Sequence, residues 1–273
     1  MDADKKISNL TKRLIIGIIG VPLLVFIIYK GGYFFLTISV IVQVLSLYEF
    51  YNLFKTKNIF PLKIFSIIVY TGLLVLSFFY YEHLEYVINL FLIIILLTIT
   101  FEVFRKEKRS PLNPLISISG FLYLTVPFIF LNLFNLNGGK LPGNFNIVLY
   151  IFVLIWTCDT FAFFGGRLFG KHLLSEISPK KTVEGSIAGI IFTVGGALIF
   201  HYITPDNLSL TDALITGLLI GIFSQVGDLF ESMLKRYCGV KDSSNIIPGH
   251  GGILDRFDSL VFVSPMIYIY FIH

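Results

Sequence analysis

Long apolar stretches separated by short polar ones run along the whole chain. The stretches are rich in Ile, Leu, Val, Phe and Tyr, and each approaches the roughly 20 residues that a helix needs to cross a bilayer. This pattern predicts an all-α, polytopic integral membrane protein with about nine transmembrane helices. The predicted spans are Leu14–Tyr29, Tyr33–Phe54, Ile64–Tyr81, Tyr86–Phe101, Leu115–Leu136, Asn146–Phe164, Gly185–Ile203, Thr211–Phe230 and Phe257–Ile272. We expect the first span to remain as an uncleaved anchor, because no small-residue cleavage pattern follows it.

The lysines and arginines fall almost entirely on one side of these predicted spans. If the N-terminus lies in the cytoplasm, every Lys and Arg except Lys30 and Lys140 belongs to a segment on the cytoplasmic side. Basic residues accumulate on that side in membrane proteins, and a wrong number of spans would hardly produce such an asymmetry. The pattern therefore predicts a cytoplasmic N-terminus and places the polar segments discussed below on the cytoplasmic face.

The composition excludes several classes of protein. A mean hydropathy of +0.83 and a hydrophobic content of 55% exclude a soluble globular domain. The net charge of +4 follows from basic loops beside the bilayer, so it does not indicate nucleic-acid binding. The two cysteines, Cys158 and Cys238, indicate neither a disulfide framework nor a metal site, and we expect free thiols.

The most polar stretch is Ser232–Asp258, which reads SMLKRYCGVKDSSNIIPGHGGILDRFD. Its basic residues are suited to binding phosphate and its carboxylates to holding a divalent cation, the two components of a phosphoryl or nucleotidyl transfer site. Its glycines allow successive N–H groups to turn towards an anion. The alternative is a solvated, charged loop between two spans, but the mixed signs and the adjoining apolar helices disfavour it. The residues concerned are Lys235, Arg236, Lys241, Asp242, Gly249, His250, Gly251, Gly252, Asp255, Arg256 and Asp258.

Carboxylates interrupt several of the predicted spans. Asp159 and Asp228 lie within apolar runs, where a charged group must be paired, hydrated or bound to a cation. Asp255 and Asp258 open the last span on one helix face; they either complement the helix dipole or contribute to a site in which Asp255 faces Asp228 across a metal. Glu49, in LYEFYNLF, lies about one turn from the inner end of its span. It has a functional role or simply reaches the headgroup region.

The segment Ser178–Gly185, SPKKTVEG, precedes another predicted span. Thr182 is placed to cap a helix, and Glu184 would lie in the first turn. Lys180 and Lys181 are either ordinary cytoplasmic lysines or contacts for a triphosphate or a lipid phosphate.

Three motifs resemble those of the phosphatidate cytidylyltransferases, membrane enzymes also called CDP-diacylglycerol synthases. Their pattern SxxKRxxxxKDxSxxIPGHGGxxDRxD is filled without insertion or deletion between Ser232 and Asp258. The stretch CDTFAFFGGRLFGKH, at Cys158–His172, and the stretch SPKKTVEG resemble the same family. The first part of the chain resembles it only in being made of hydrophobic spans.

The resemblance implies transfer of a cytidylyl group from CTP, or dCTP, to phosphatidate at a cytoplasmic-facing cavity that is open to the bilayer. It implies Mg²⁺, an associated K⁺, and a homodimer in the bacterial cytoplasmic membrane. The metal ligands would be Asp228 and Asp255, with Asp159 and Asp258 as further or outer ligands. The substrate phosphates and the leaving pyrophosphate would meet Lys180, Lys181, Lys235, Arg236, Lys241, His250 and Arg256. Other substrate contacts would come from Arg167, Lys171, Thr182, Glu184, Ser232, Gly251 and Gly252.

Two other functions are compatible with this pattern. A CTP-dependent kinase of a polyprenol or another lipid alcohol would share the architecture but would need a base for its hydroxyl acceptor. An ion-coupled transporter would use Asp159 and Asp228 as ion ligands, although the charges cluster at one face and no inverted repeat is visible. The hydrophilic break at Arg105–Pro114 predicts a division between an N-terminal scaffold (1–110) and a C-terminal catalytic region (111–273).

Overall fold

The chain is helical throughout the part that the structure, a computed structural model, describes: residues 17–137, 146–244, 246 and 251–272. The helices are α1 (Gly17–Lys30), α2 (Gly32–Leu53), α3 (Lys63–Phe79), α4 (Leu84–Phe104), α5 (Leu112–Gly120), α6 (Val126–Asn137), α7 (Ile147–Phe169), α8 (Val183–Ile203), α9 (Leu210–Tyr237) and α10 (Leu254–Ile272). A 3₁₀ turn, Phe54–Lys57, follows α2, and a π-helical turn, Phe121–Thr125, joins α5 to α6. Within the described ranges there is no β-strand, only an isolated bridge between Leu173 and Thr182.

Six helical segments are long and apolar enough to cross a membrane. They are Gly32–Lys57, Leu84–Phe104, Leu112–Leu136, Ile147–Phe169, Val183–Ile203 and Leu210–Tyr237, with shorter apolar helices at Gly17–Lys30 and Lys63–Phe79. These segments confirm the prediction of an all-α, polytopic membrane protein. The count of nine spans is not established, because α1 and α3 are short and α10 begins with the charged residues Asp255, Arg256 and Asp258.

The chain divides into two compact units. Unit 1 consists of Met1–Thr125 and Cys238–Arg256, and unit 2 consists of Val126–Tyr237 and Phe257–His273. The chain therefore leaves unit 1 after α5, builds most of unit 2, and returns to unit 1 for the loop that precedes α10.

The core of unit 1 is built from aromatic side chains on α2 to α5. Phe91 of α4 stacks on Phe121 at the π-helical turn, with ring centroids 3.7 Å apart, and Tyr70 of α3 lies 5.3 Å from the same ring. Tyr51 is fully buried, and its hydroxyl donates to the carbonyl of Ser117 at 2.8 Å. Buried hydroxyls need such partners in an apolar interior, so this bond also fixes α2 against α5.

The segment between α4 and α5 is held by a buried carboxylate, Glu102. Its Oε1 accepts from the Ser110 amide at 2.9 Å and from Asn113 Nδ2 at 2.6 Å, while its Oε2 accepts from Arg105 Nη1 at 3.2 Å. The predicted hydrophilic break is thus a closely braced turn in unit 1.

The helices α7, α8 and α9 of unit 2 approach closely at glycines. A Cβ on Gly185 would lie 2.6 Å from the Ala162 carbonyl oxygen, and one on Gly217 would lie 2.9 Å from Val194 Cα. Small residues permit such contacts between membrane helices, where van der Waals packing replaces the hydrophobic effect. Phe161 and Phe192 stack beside this contact with centroids 3.8 Å apart.

Side-chain caps fix where two of these helices begin. Asn146 Oδ1 accepts from the Leu149 amide at 3.0 Å, and Thr182 Oγ1 accepts from the Gly185 amide at 3.2 Å. Each bond satisfies one of the amide groups that have no partner within the first turn. The predicted role of Thr182 as a helix cap is confirmed.

Candidate active site

A cavity of about 420 Å³ lies in unit 2 among α7, α8, α9 and the loop between α7 and α8. Its lining includes the acids Asp159 and Asp228 and the bases Arg167, Lys180 and Lys181. Of the residues predicted from sequence, the structure therefore brings these five and Thr182 together around one space. Acids and bases facing a single cavity suit an anionic ligand accompanied by a cation.

Asp228 and Lys181 form an ion pair at the edge of this cavity. Lys181 Nζ lies 2.6 Å from Asp228 Oδ2, and Ser232 Oγ donates to Asp228 Oδ1 at 3.3 Å. The two side chains are 36% (Asp228) and 26% (Lys181) exposed, so solvent screening keeps the contribution of the pair to stability small. The pair shows instead that Asp228 offers a carboxylate to a cation inside the cavity.

A third aspartate, Asp258, belongs to the same unit. The helix that carries it packs tightly on α9, because a Cβ on Gly227 would lie only 2.5 Å from the Asp258 carbonyl oxygen. Its partly buried carboxyl group interacts electrostatically with Asp228, Asp159 and Lys235. Asp159, Asp228 and Asp258 thus form a region of concentrated negative charge in unit 2.

Gln225 and Lys235 extend the polar surface of α9 on either side of Asp228. Gln225 Nε2 donates to the Ser186 carbonyl at 3.1 Å and so joins α9 to α8. Lys235 forms an ion pair with Glu231, which is 1% exposed, one turn earlier on the helix. Arg236 is exposed at the end of α9.

Glu184 binds the loop in front of α8 and is not among the residues that line the cavity. Its Oε2 accepts from the amides of Lys171 and His172 at 3.0 and 3.2 Å, and its Oε1 lies 2.6 Å from His172 Nδ1. The side chains of Lys171 and His172 are exposed. Glu184 therefore shapes the loop that carries Lys180 and Lys181, and a direct contact of Glu184 or Lys171 with substrate stays a prediction.

The remaining predicted residues of Ser232–Asp258 belong to unit 1. Asp255 Oδ2 accepts from the Gly252 amide at 2.7 Å, the Ser243 hydroxyl at 3.1 Å and the Ser243 amide at 3.2 Å. Gly251 has φ +85°, a conformation that favours glycine. Lys241 and Arg256 are exposed, and His250 lies outside the described residues. Because Asp255 is in unit 1 and Asp228 is in unit 2, a metal shared by the two stays a prediction.

Glu49 of α2 is 1% exposed and contacts the loop before Asp255, a role that the sequence did not predict. Its two carboxylate oxygens accept four hydrogen bonds from Ser243, Ser244, Ile253 and Leu254. Only one signal in the sequence could have indicated this role: a carboxylate one turn before the end of an apolar span.

The acids of unit 2 have the right chemistry for Mg²⁺, which prefers carboxylate oxygens and keeps several waters. An ammonium group already lies on Asp228, so the position accepts a cation. Across the described residues, however, no three His, Cys, Asp or Glu side chains converge into a complete ligand set. Asp159, Asp228 and Asp258 thus match magnesium in donor type and charge only, and their binding of the ion stays a prediction.

Comparison with known proteins identifies the family of the chain. The model of the cytidylyltransferase family matches residues 11–273. A phosphatidate cytidylyltransferase of Staphylococcus saprophyticus is 34% identical over 263 residues, covering 94% of this chain and 97% of the relative. The enzyme of the same name from Bacillus subtilis is 33% identical over 277 residues, covering 95% and 97%. That of Staphylococcus haemolyticus is 38% identical over 172 residues, and this match spans 63% of the chain and 64% of the relative.

The family match begins upstream of the first described helix and runs to the last residue, so it includes the N-terminal helices as well as the motifs. The chain belongs to the cytidylyltransferase family.

Proposed function

We propose that this protein transfers the cytidylyl group of CTP to the phosphate of phosphatidate, giving CDP-diacylglycerol and pyrophosphate. The observation that carries the proposal is the Asp228–Lys181 pair, beside Arg167 and Lys180, in a cavity formed by membrane-spanning helices. The family and the names of the relatives support the identity of both substrates. The membrane location suits a lipid acceptor that never leaves the bilayer.

The basic residues of the cavity bring two anions together. Arg167, Lys180 and Lys181 supply positive charge to the phosphates of the nucleotide and of the lipid. The arrangement lowers the barrier mainly by positioning and by neutralising charge, as in other phosphoryl transfers. Lys235 and Arg236 lie further along α9 and are proposed to extend this positive surface.

The acceptor needs no general base, because a phosphate monoester is already ionised at neutral pH. An oxygen of phosphatidate attacks the α-phosphorus of CTP and forms the new P–O bond. The bond between the α-phosphorus and the oxygen that bridges to the β-phosphate breaks, and pyrophosphate leaves with the electron pair. The lysines and Arg167 bind the charge that accumulates on the leaving group.

Asp159, Asp228 and Asp258 are proposed to hold Mg²⁺. When bound, Mg²⁺ would neutralise triphosphate charge and stabilise the developing pyrophosphate. The ion pair keeps the Asp228 carboxylate and the Lys181 ammonium adjacent. Asp228 can therefore bind the cation while Lys181 binds the phosphate that accompanies this cation. K⁺ as a second cation, acceptance of dCTP and a homodimeric assembly are further proposals from the family resemblance.

The residues of the Cys238–Arg256 segment are proposed to complete the machinery. Asp255 as a metal ligand, and Lys241, His250 and Arg256 as phosphate contacts, follow from the resemblance. We further propose that the site faces the cytoplasm, where CTP is available, and that the protein resides in a bacterial cytoplasmic membrane.

Labelled nucleotide separates this reaction from its alternatives. The protein, purified in detergent with Mg²⁺ and phosphatidate, should incorporate label from α-labelled CTP into lipid and leave γ-label in pyrophosphate. A lipid-alcohol kinase would transfer the γ-label to a polyprenol, and a transporter would label no lipid. Either result would overturn the proposal.

Asp228→Asn should lower lipid labelling on the order of 100-fold, because the cation loses its carboxylate while the side chain keeps its size. Asp206→Asn, on an exposed turn, is the control and should retain activity. Normal turnover by the Asp228 variant would contradict the assignment.

A further inference from the structure

A buried side chain of α2, Glu49, forms hydrogen bonds with the Cys238–Arg256 segment of unit 1. Glu49 Oε1 accepts from Ser244 Oγ at 2.5 Å and from the Ile253 amide at 3.0 Å. Its Oε2 accepts from Ser243 Oγ at 2.9 Å and from the Leu254 amide at 2.9 Å. Four donors surround one carboxylate, two on each oxygen.

These four donors lie at the two ends of the loop. Ser243 and Ser244 begin the stretch that leads to the glycines, and Ile253 and Leu254 end it at the start of α10. Glu49 therefore holds both described ends of a segment that, apart from Leu254 at the start of α10, forms no helix or strand over its described residues.

The chemistry of this cluster requires a carboxylate. All four groups donate hydrogen bonds, and a carboxylate is the side-chain group that offers only acceptors on both oxygens. Glutamine has nearly the same shape, but its NH₂ would face two donors. In a site that is 1% exposed, water cannot relieve that mismatch.

Gly252 fits closely against the cluster. A Cβ on Gly252 would collide with Ser243 Oγ and with the Glu49 carboxylate, so a side chain at this position would force one or both of them to move. The backbone amide of Gly252 donates to Asp255 Oδ2, which also accepts from Ser243. Ser243 Oγ thus lies within hydrogen-bond distance of both carboxylates, which share its single proton, and the Ser243 amide also donates to Asp255.

We infer that Glu49 is a positioning residue for the reaction: it clamps the Ser243–Leu254 loop and thereby sets the orientation of Asp255, Lys241 and Arg256. The inference rests on the proposed function for its catalytic consequence, whereas the clamp itself is a property of unit 1. Glu49 touches no substrate and acts only through the loop.

The chain offers a matched control in Glu102. It is 4% exposed, lies in the same unit, and braces a different loop through Ser110, Asn113 and Arg105. Glu102→Gln and Glu49→Gln therefore impose the same chemical change on a buried carboxylate, but only the second should release the Ser243–Leu254 loop.

Amide hydrogen exchange measures the clamp without reference to activity. In full-length protein in detergent, Glu49→Gln should raise exchange in peptides covering residues 240–256 at least about tenfold relative to wild type. Glu102→Gln should leave those peptides unchanged and raise exchange around residues 105–113. Equal effects of both variants at both loops, or unchanged exchange in Glu49→Gln, would overturn the inference.

The kinetic constants test the consequence for catalysis. Glu49→Gln should lower kcat about 100-fold with little change in KM for CTP, since small displacements of catalytic groups have effects of this size. Glu49→Asp, which keeps both acceptors, should recover part of that loss, and Glu102→Gln should keep kcat within about threefold of wild type. A loss of kcat equal in both glutamine variants would show a purely structural role. If wild type labels no lipid from CTP, the proposed function fails while the exchange measurement still decides the clamp.

Discussion

Buried and half-buried carboxylates in this protein have two distinct roles at the scale of single residues. Glu49 and Glu102 are closed off by hydrogen-bond donors of unit 1, whereas Asp228 keeps a partly exposed carboxylate on a cavity of unit 2. In apolar surroundings each carboxylate needs a partner, but of these three only Asp228 can exchange its partner for a ligand. Exposure and partner type therefore separate bracing carboxylates from those that are open to a ligand.

Cys238 gives a prediction that depends on pH. Burial raises the pKa of the Cys238 thiol above its ordinary value, and hydrogen bonding to Thr56 and the charge of Lys57 oppose the shift without cancelling it. A raised pKa means less thiolate at any pH near 8, and the thiolate is the nucleophile. In a Cys158→Ser background, alkylation of Cys238 should be slower than that of free cysteine at pH 8.

Raising the pH should increase the alkylation rate of Cys238 beyond the point at which free cysteine levels off, and denaturation should abolish the difference. The pH dependence of iodoacetamide modification, followed by mass spectrometry, measures both. Native-state alkylation as fast as in the unfolded chain would contradict the role of burial.

The sequence predicted the acids and bases of the cavity but not the partner of each. Asp159, Asp228, Lys180 and Lys181 stand out because charge in or beside an apolar run is costly. The four bonds of Glu49 were not predictable, because Ser243 and Leu254 lie far along the chain and hydropathy records local burial only.

At the scale of helices, the contact between α7 and α8 determines the shape of the cavity. Asp159 and Arg167 lie on α7, and Thr182 caps α8 immediately after Lys181. The two helices approach at Gly165, Gly185 and Gly189, where an added Cβ would meet atoms of the facing helix. The distance between α7 and α8, which form one wall of the cavity, thus depends on having no side chain at these three positions.

Replacement of Gly185 by alanine tests this contact. The new Cβ would lie 2.6 Å from the Ala162 carbonyl oxygen and 2.9 Å from backbone atoms of Gly166, and backbone cannot yield as a flexible side chain does. We expect Gly185→Ala to destabilise the protein by about 1–3 kcal/mol. Gly195→Ala is the control, because Gly195 lies on the same helix and a Cβ added there would have no other atom within 4 Å.

Thermal unfolding in detergent, followed by the fluorescence of the single tryptophan, Trp156, measures both variants. Gly185→Ala should unfold at a lower temperature and lose activity, and Gly195→Ala should match wild type or exceed it slightly. Similar unfolding temperatures for the two would mean that α7 and α8 are not closely packed there.

Hydropathy located most helices but marks only the apolar part of each. The predicted span Thr211–Phe230 stops where polar residues begin, yet α9 continues to Tyr237. It continues because Glu231 and Lys235 pair within the helix, so the polar residues find partners without ending it. The π-helical turn at Phe121–Thr125 also gave no sign in the sequence, and its first residue stacks on Phe91 of another helix, a contact that hydropathy does not record.

At the scale of the whole molecule, the chain crosses between its two units more than once. The apolar pattern indicates that helices exist but not which of them group together. The division into units, with the Cys238–Arg256 segment belonging to the N-terminal helices, is a tertiary property. The separate division into a scaffold (1–110) and a catalytic region (111–273) remains a prediction about function.

The distribution of basic residues predicts the orientation in the membrane. Lys106 and Lys30 are both exposed, and the sequence assigns them to opposite faces. In a chain without its native cysteines, Lys30→Cys should react with a membrane-impermeant maleimide from outside intact cells. Lys106→Cys should react only after permeabilisation, and the reverse pattern would refute the cytoplasmic N-terminus.

The hydrogen bonds of Glu49 also bear on synthesis and engineering. During translation α2 emerges long before Ser243, so the loop can assume its final form only when nearly the entire polypeptide has been made. A truncated protein that began after α5 would retain every recognisable motif. It would still lack Glu49, the hydrogen-bond acceptor for the loop that carries the last of those motifs. The hydrophobic N-terminal third, which looks interchangeable by composition, cannot be exchanged for unrelated membrane anchors unless a carboxylate is supplied at the equivalent point.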